Sequence, residues 1–180
     1  MSQIFGPIRQ LGLVVNNFKA TLEHWVKVQG VGPFYYFCDT PVSDYRYHGK
    51  PTEAPVLSIA FAYSGNMQIE IIHQQNTAPS IYQDFILAGK EGLHHVSGFA
   101  DRQGFEQICN RAKHAGLTET CAGNIGGTRF SYFDTDRVPG ATICEISESD
   151  MDGPRQIFAD IQNASINWDG NDPFRLLGLE

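Results

Sequence analysis

One order of elements, strand, helix and then three strands, runs twice in succession through these 180 residues, and nothing else in the chain narrows its fold as much. In the first half, the β-rich run Ile8–Val15 precedes a helical spacing over Phe18–Gln29. There Phe18, Leu22, Trp25 and Val26 share a face, and Asn16 or Asn17 offers a cap. Pro33–Cys38, Val56–Tyr63 and Met67–His73 read as strands, the last two joined by a hairpin turn at Ser64-Gly65-Asn66. A short linker helix carrying Ile81, Phe85, Ile86 and Leu87 comes before the restart. Gly92–Ala100 is then a strand, and Asp101 caps a helix that turns Phe105, Ile108, Cys109 and Ala112 inward. Leu117–Cys121, Arg129–Asp134 and Ala141–Ser147 complete the second set. Identity between the halves is slight, so the repeat is one of architecture.

The layout predicts an α+β fold: two tandem βαβββ modules whose curved mixed sheets form an open, barrel-like bowl. The expected division is 1–78 for the first module, 79–150 for the linker helix and second module, and 151–180 for a C-terminal helix and tail, all in one integrated domain. In the tail, Asp152-Gly153-Pro154 opens a helix with Ile157, Phe158 and Ile161 on one side, and an irregular strap follows, anchored by Trp168 and Phe174. Hydrophobic residues at 42% and aromatics at 12% suffice for a core. With 13 basic against 20 acidic side chains the net charge is −7, which disfavours nucleic acid and anionic membrane surfaces as partners. No apolar run reaches the roughly 18–20 residues of a membrane span, and the N-terminus lacks the charged-then-apolar layout of a secretory signal. The four cysteines are scattered with no CxxC pair, so a reducing, cytoplasmic setting is expected.

Four polar residues break the apolar pattern at matched places. Gln10 and His95 sit early in the first strand of their modules, and Glu70 and Glu145 sit within the last. Each has an ordinary reading: a strand Glu usually marks a solvated face, a strand His is more often structural than a ligand, and Gln10 alone says little. Together they admit another. If the sheets curve as expected, all four side chains point into one concavity, where two dehydrated carboxylates repel each other unless a cation neutralises them. One imidazole and three oxygen donors suit zinc, manganese, cobalt or nickel better than calcium.

These motifs resemble the vicinal oxygen chelate superfamily, which includes glyoxalase I, methylmalonyl-CoA epimerase, extradiol dioxygenases and the fosfomycin- and bleomycin-resistance proteins. The resemblance spans about Ile8 to Glu148 and is most specific at Gly92-Leu93-His94-His95-Val96, close to a strand of the epimerase, and at the closing strands that carry Ile69-Glu70-Ile71 and Cys144-Glu145-Ile146. It implies that Gln10, Glu70, His95 and Glu145 are the four metal positions, a set like that of glyoxalase I. Gln10 departs from the epimerase's usual His, and a single His argues against oxygen activation. His94, its neighbour's opposite in a regular strand, should face the helix layer. The resemblance further implies a metal-stabilised enediolate, with Glu145 as the base and Glu70 next in line, and hence an isomerase, lyase or epimerase. The alternative is a non-catalytic protein of this fold that sequesters an antibiotic or aromatic ligand.

No basic cluster flanks the concavity, whereas aromatics are plentiful. Phe61, Tyr63, Phe130, Tyr132 and Tyr36 are the expected pocket lining, which favours a bulky, apolar carbonyl or aromatic small molecule. The 39–55 segment is either a lid or ordinary surface. A homodimer is expected, with the site formed in one chain or across two.

Overall fold

The computed structural model describes residues 1–149 and 152–178; the expected boundary between 150 and 151 lies outside the described residues. The first half runs β1 (Gln10–Val14), α1 (Phe18–Lys27), β2 (Phe34–Pro41), β3 (Ser43–Tyr47), β4 (Lys50–Pro51), β5 (Val56–Ser64) and β6 (Met67–Gln74). Then come α2 (Ile81–Leu87), β7 (Gly92–Ala100), α3 (Arg102–His114), β8 (Glu119–Ile125), β9 (Thr128–Phe133) and β10 (Ile143–Glu148). The chain closes with α4 (Asp152–Ser165) and β11 (Phe174–Leu176). Side-chain oxygens start three of the helices: Asn17 accepts from the Ala20 amide, Ser80 from Gln83 and Asp101 from Gly104.

All the strands join one curved, open sheet in the order β11-β2-β5-β6-β1-β7-β10-β9-β8-β3-β4. The two halves meet at its centre, where β1 and β7 pair antiparallel, and each is flanked by the last strand of its own half running parallel to it. This is the expected pair of βαβββ modules.

Alternation then sorts the side chains. On β6, Ile69 and Ile71 point outward, where they pack with Ala60, Ala62 and Leu22 beneath α1. In the second half Ile146 and Phe133 do the same with Phe105, Ile108 and Ala112 of α3. The opposite, concave face gathers Phe37, Ile59, Phe61, Ile72, Phe130 and Tyr132, with Tyr82 of α2 and Ile161 of α4 closing over it. Burial of these faces is the main favourable term for the fold, at about 25 cal/mol per Å² of apolar surface.

Three details refine the expectation. The 39–55 segment lies mostly at the surface, but as part of the sheet: after Pro41 the chain crosses to the far edge, where β3 pairs with β8 and folds back as β4. Tyr45 is buried there, and the Tyr47 hydroxyl donates to Asp84 of α2 at 2.5 Å. The strand expected at Leu117–Cys121 runs instead from Glu119 to Ile125, because Gly126 and Gly127, both at positive φ, make the two-residue turn into β9. The strap after α4 ends in a strand, with Phe174–Leu176 pairing parallel to Phe34–Tyr36. Among the described residues, no helix is long and apolar enough to cross a membrane.

Candidate metal centre

Each of the central four strands places one of the four expected residues on the concave face. Gly12 of β1 is the register partner of both Glu70 and His95, and Glu145 lies opposite Ser97. His95 Nε2 is 3.2 Å from Glu70 Oε2 and 3.2 Å from Glu145 Oε2. All four expected residues are buried: His95 is 0% exposed, Gln10 3%, Glu145 5% and Glu70 7%. The test of fit is what their atoms bond to. Gln10 Oε1, Glu70 Oε2, His95 Nε2 and Glu145 Oε2 are each buried without a hydrogen-bond partner. His95 Nε2 and the two carboxylate oxygens face one another as ion pairs without a hydrogen bond, and Gln10 Oε1 has no partner, which leaves two buried carboxylates short of compensating charge. The ligand atoms of Glu70, His95 and Glu145 lie within 4.8 Å of one another, so one cation can touch all three. One ring nitrogen, two carboxylates and an amide oxygen fit a first-row transition ion or zinc.

Neighbours hold these groups in place. Gln10 Nε2 donates to Gln68 Oε1 at 2.7 Å, and Gln68 Nε2 donates to the Tyr63 hydroxyl at 3.0 Å, which leaves Gln10 Oε1 facing the centre. Ser147 Oγ donates to Glu145 Oε1 at 3.0 Å. His95 stacks on bare backbone: a Cβ at Gly12 would lie 1.9 Å from His95 Cε1 and 2.1 Å from Nε2. Burial alone would lower the His95 pKa, but the two carboxylates beside Nε2 overcome it and push it up to about 9. Glu70 is raised, first by burial and then by the charge of Glu145, against the opposing pull of His95. Replacing Gln68 with leucine removes the partner that orients Gln10. Metal affinity, measured by competition with a chelator, is expected to fall roughly tenfold to a hundredfold, as for other supports of metal ligands.

Above the four residues lies a cavity of about 100 Å³, and of the expected lining Phe61, Phe130 and Tyr132 face it. Tyr36 and Tyr63 do not. In Phe34-Tyr35-Tyr36-Phe37 both phases of the strand are aromatic, so alternation cannot choose a face; Phe37 points in and Tyr36 packs beneath α1. Tyr63 is on the concave side, but its hydroxyl is taken up by Gln68. His94 does face a helix, α2, which closes over the concave side. The register between β1 and β7 shifts after Gly12, and this irregularity turns His94 toward α2, where it packs on Tyr82 and Phe85. Its Nδ1 lies 3.1 Å from that of His95. Sequence reading missed Tyr82 of α2, Phe158 of α4 and Leu177, which line the cavity from outside the strands, and Phe99 within β7. It also missed Gly12, for which a lone glycine inside a strand pattern was the available signal.

The sequence profile described as Glyoxalase/Bleomycin resistance protein/Dioxygenase superfamily matches residues 9–132, more than half of the chain. The chain belongs to that superfamily. Solved structures carry the same fold at low identity. The chain is similar to methylmalonyl-CoA epimerase from Mycobacterium tuberculosis, with a TM-score of 0.55 at 12% identity, covering 82% of this chain and 91% of the epimerase. It is also similar to a hypothetical protein from Bacillus halodurans C-125, with a TM-score of 0.52 at 20% identity, covering 79% of this chain and 93% of the other. No curated protein sequence matches it. Within the superfamily fold, the four buried residues come from the first and last strands of the two modules, all in one chain.

Proposed function

We propose that this member of the superfamily is a divalent-metal-dependent enzyme of glyoxalase type, an isomerase, lyase or epimerase that moves a proton beside the carbonyl of a small-molecule substrate. The observation that carries the reading is the convergence of the ligand atoms of Glu70, His95 and Glu145 within 4.8 Å of one another, with a buried Gln10 Oε1 that makes no hydrogen bond, beside an apolar cavity that Gln10, Glu70 and Glu145 line. Gln10, Glu70, His95 and Glu145 would hold the ion, as zinc, nickel, cobalt or manganese. When bound, it supplies positive charge against the negative charge that develops on the substrate oxygen.

The protein's own groups do the rest. Glu145 takes the proton: its Oε2 faces His95, and its Oε1 is steadied by Ser147, which itself lines the cavity. Glu70 is the second candidate. Phe37, Phe61, Phe99, Phe130 and Phe158 exclude water and strengthen the electrostatics at the floor. A protein that only sequesters ligands gains nothing from two facing carboxylates, which favours the catalytic reading. The deciding experiment measures metal content after purification, then screens carbonyl substrates for α-proton exchange with zinc, nickel, cobalt or manganese added. About one ion per chain with exchange supports the reading; an apoprotein that binds ligands without exchange overturns it.

A pH effect follows, and its sign can be worked out. His95 is raised from 6.5 to about 9 in the folded, metal-free chain, and Glu70 is also raised. Protonated His95 therefore stabilises that chain in full below about pH 6.5, and its contribution is lost as pH rises through about 9. Metal binding needs the deprotonated groups and works in the opposite direction. The melting temperature gained on adding zinc to chelator-treated protein should therefore grow from pH 6.5 to 9. A gain that is flat or shrinking across that range would remove His95 from the ligand set.

A further inference from the structure

Two tyrosines meet beside the same floor. Tyr82 comes from α2, and Tyr132 comes from β9 as the register partner of Glu145. Both line the cavity, and each is 2% exposed. Their hydroxyls share a single hydrogen bond, from Tyr82 to Tyr132 at 3.0 Å. Two phenols carry two donor protons, and one bond between them consumes one. One hydroxyl proton is therefore left over, and Tyr132, the register partner of Glu145, is the phenol placed to present it at the floor. The orphan acceptors of the floor do not take it, since Gln10 Oε1, Glu70 Oε2 and Glu145 Oε2 all lack a partner themselves. Nor can the ring turn away easily. It stands edge-on to His95 with centroids 5.0 Å apart, to Phe130 at 5.6 Å and to Tyr82 at 5.9 Å. A buried hydroxyl proton with no protein acceptor is a feature that folded proteins rarely keep unless a ligand or an ordered water completes it.

The cavity adds a second constraint. Neither Lys nor Arg lines it, so a remote carboxylate or phosphate on a ligand would meet only aromatic and aliphatic walls. We infer that Tyr132, backed by Tyr82, donates a hydrogen bond to the substrate oxygen that gains negative charge, and that the substrate is an enolisable carbonyl whose remaining bulk is apolar and uncharged. This rests on the metal-dependent proton transfer proposed above. The bond arriving from Tyr82 polarises the outgoing O–H of Tyr132, and a donor aimed at an oxygen becoming negative favours the transition state over the neutral carbonyl. Tyr132 keeps its proton throughout.

The test uses the zinc-loaded full chain and two chelating probes, benzohydroxamate and succinomonohydroxamate. They present the same adjacent oxygens, one on a phenyl group and the other on a chain ending in a carboxylate. Wild-type protein is expected to bind benzohydroxamate at least about tenfold more tightly, with a tyrosine difference absorption on binding. Tyr132→Phe should retain its zinc, lose that signal and bind benzohydroxamate roughly tenfold to a hundredfold more weakly. Tyr82→Phe should show a smaller loss. A merely structural pair would change the melting temperature of these variants but not their probe affinity. With zinc bound, the inference is overturned by wild-type affinity in Tyr132→Phe, by a larger loss in Tyr82→Phe, or by equal binding of the two probes; the metal reading then stands. Failure of wild-type protein to hold zinc, nickel, cobalt or manganese removes both.

Discussion

Replacing Gly12 with alanine is expected to strip the protein of its metal and to destabilise it by about 1–3 kcal/mol or more, through one added methyl group. That methyl would sit within 2.5 Å of three atoms of the His95 ring, far inside contact distance. The ring has nowhere to go. It is fully buried, with the edge of Tyr132 5.0 Å away on one side and His94 5.4 Å away on another. Relief has to come from a shift of β1 against β7 or from ejection of the imidazole, and either move separates Nε2 from Glu70 and Glu145. Metal content should drop from about one ion per chain to below roughly a tenth, and melting should fall by roughly 3–10 °C for a chain of this size. A double-mutant cycle separates the clash from any general preference of the strand for glycine. In a His95→Ala background the cavity left by the ring accepts the methyl, so adding Gly12→Ala should cost little further stability. Equal losses in both backgrounds would show that Gly12 serves the strand and not the histidine.

This glycine also marks where sequence reasoning stops. Alternation in a strand gives a side chain's face, so the paired placement of Gln10 with His95 and of Glu70 with Glu145 was visible without coordinates, as was the repeated βαβββ order. What a side chain meets across the sheet depends on register, and register depends on pairing between distant segments. The shift after Gly12 is one such case: it turns His94 toward α2, although two adjacent strand residues should face opposite ways. The choice of Phe37 over Tyr36 is another, because a run that is aromatic in both phases carries no alternation signal. The contributions of α2 and α4 to the cavity are tertiary. Tyr82 and Phe158 look like ordinary apolar helix residues until the sheet curves beneath them. The route of β3 to the far edge had no local signal, since edge pairing is decided by which strand is left open after the rest have assembled.

Glu145→Gln should reduce α-proton exchange on the order of a thousandfold while leaving the ion and ligand affinity nearly intact. The change keeps the shape and an oxygen that can face the ion, and it removes only the ability to accept a proton. With the amide oxygen kept at the Oε2 position facing the ion, the amide nitrogen takes the Oε1 position and donates to Ser147 Oγ, so the local bond survives with its direction reversed. Glu70→Gln is the necessary comparison, because Glu70 Oε2 stands the same 3.2 Å from His95 Nε2 and both carboxylates line the cavity. If Glu145 is the base and Glu70 mainly a ligand, Glu70→Gln should weaken metal affinity more than Glu145→Gln does, yet retain exchange at saturating metal. A two-base epimerisation, with one carboxylate on each side of the substrate carbon, would look different. Each variant would then stop exchange from one face only, which separate assays of the two enantiomers in deuterated water would resolve. Turnover unchanged in Glu145→Gln, with the metal in place, would leave Glu145 as a ligand alone and transfer the chemistry to Glu70.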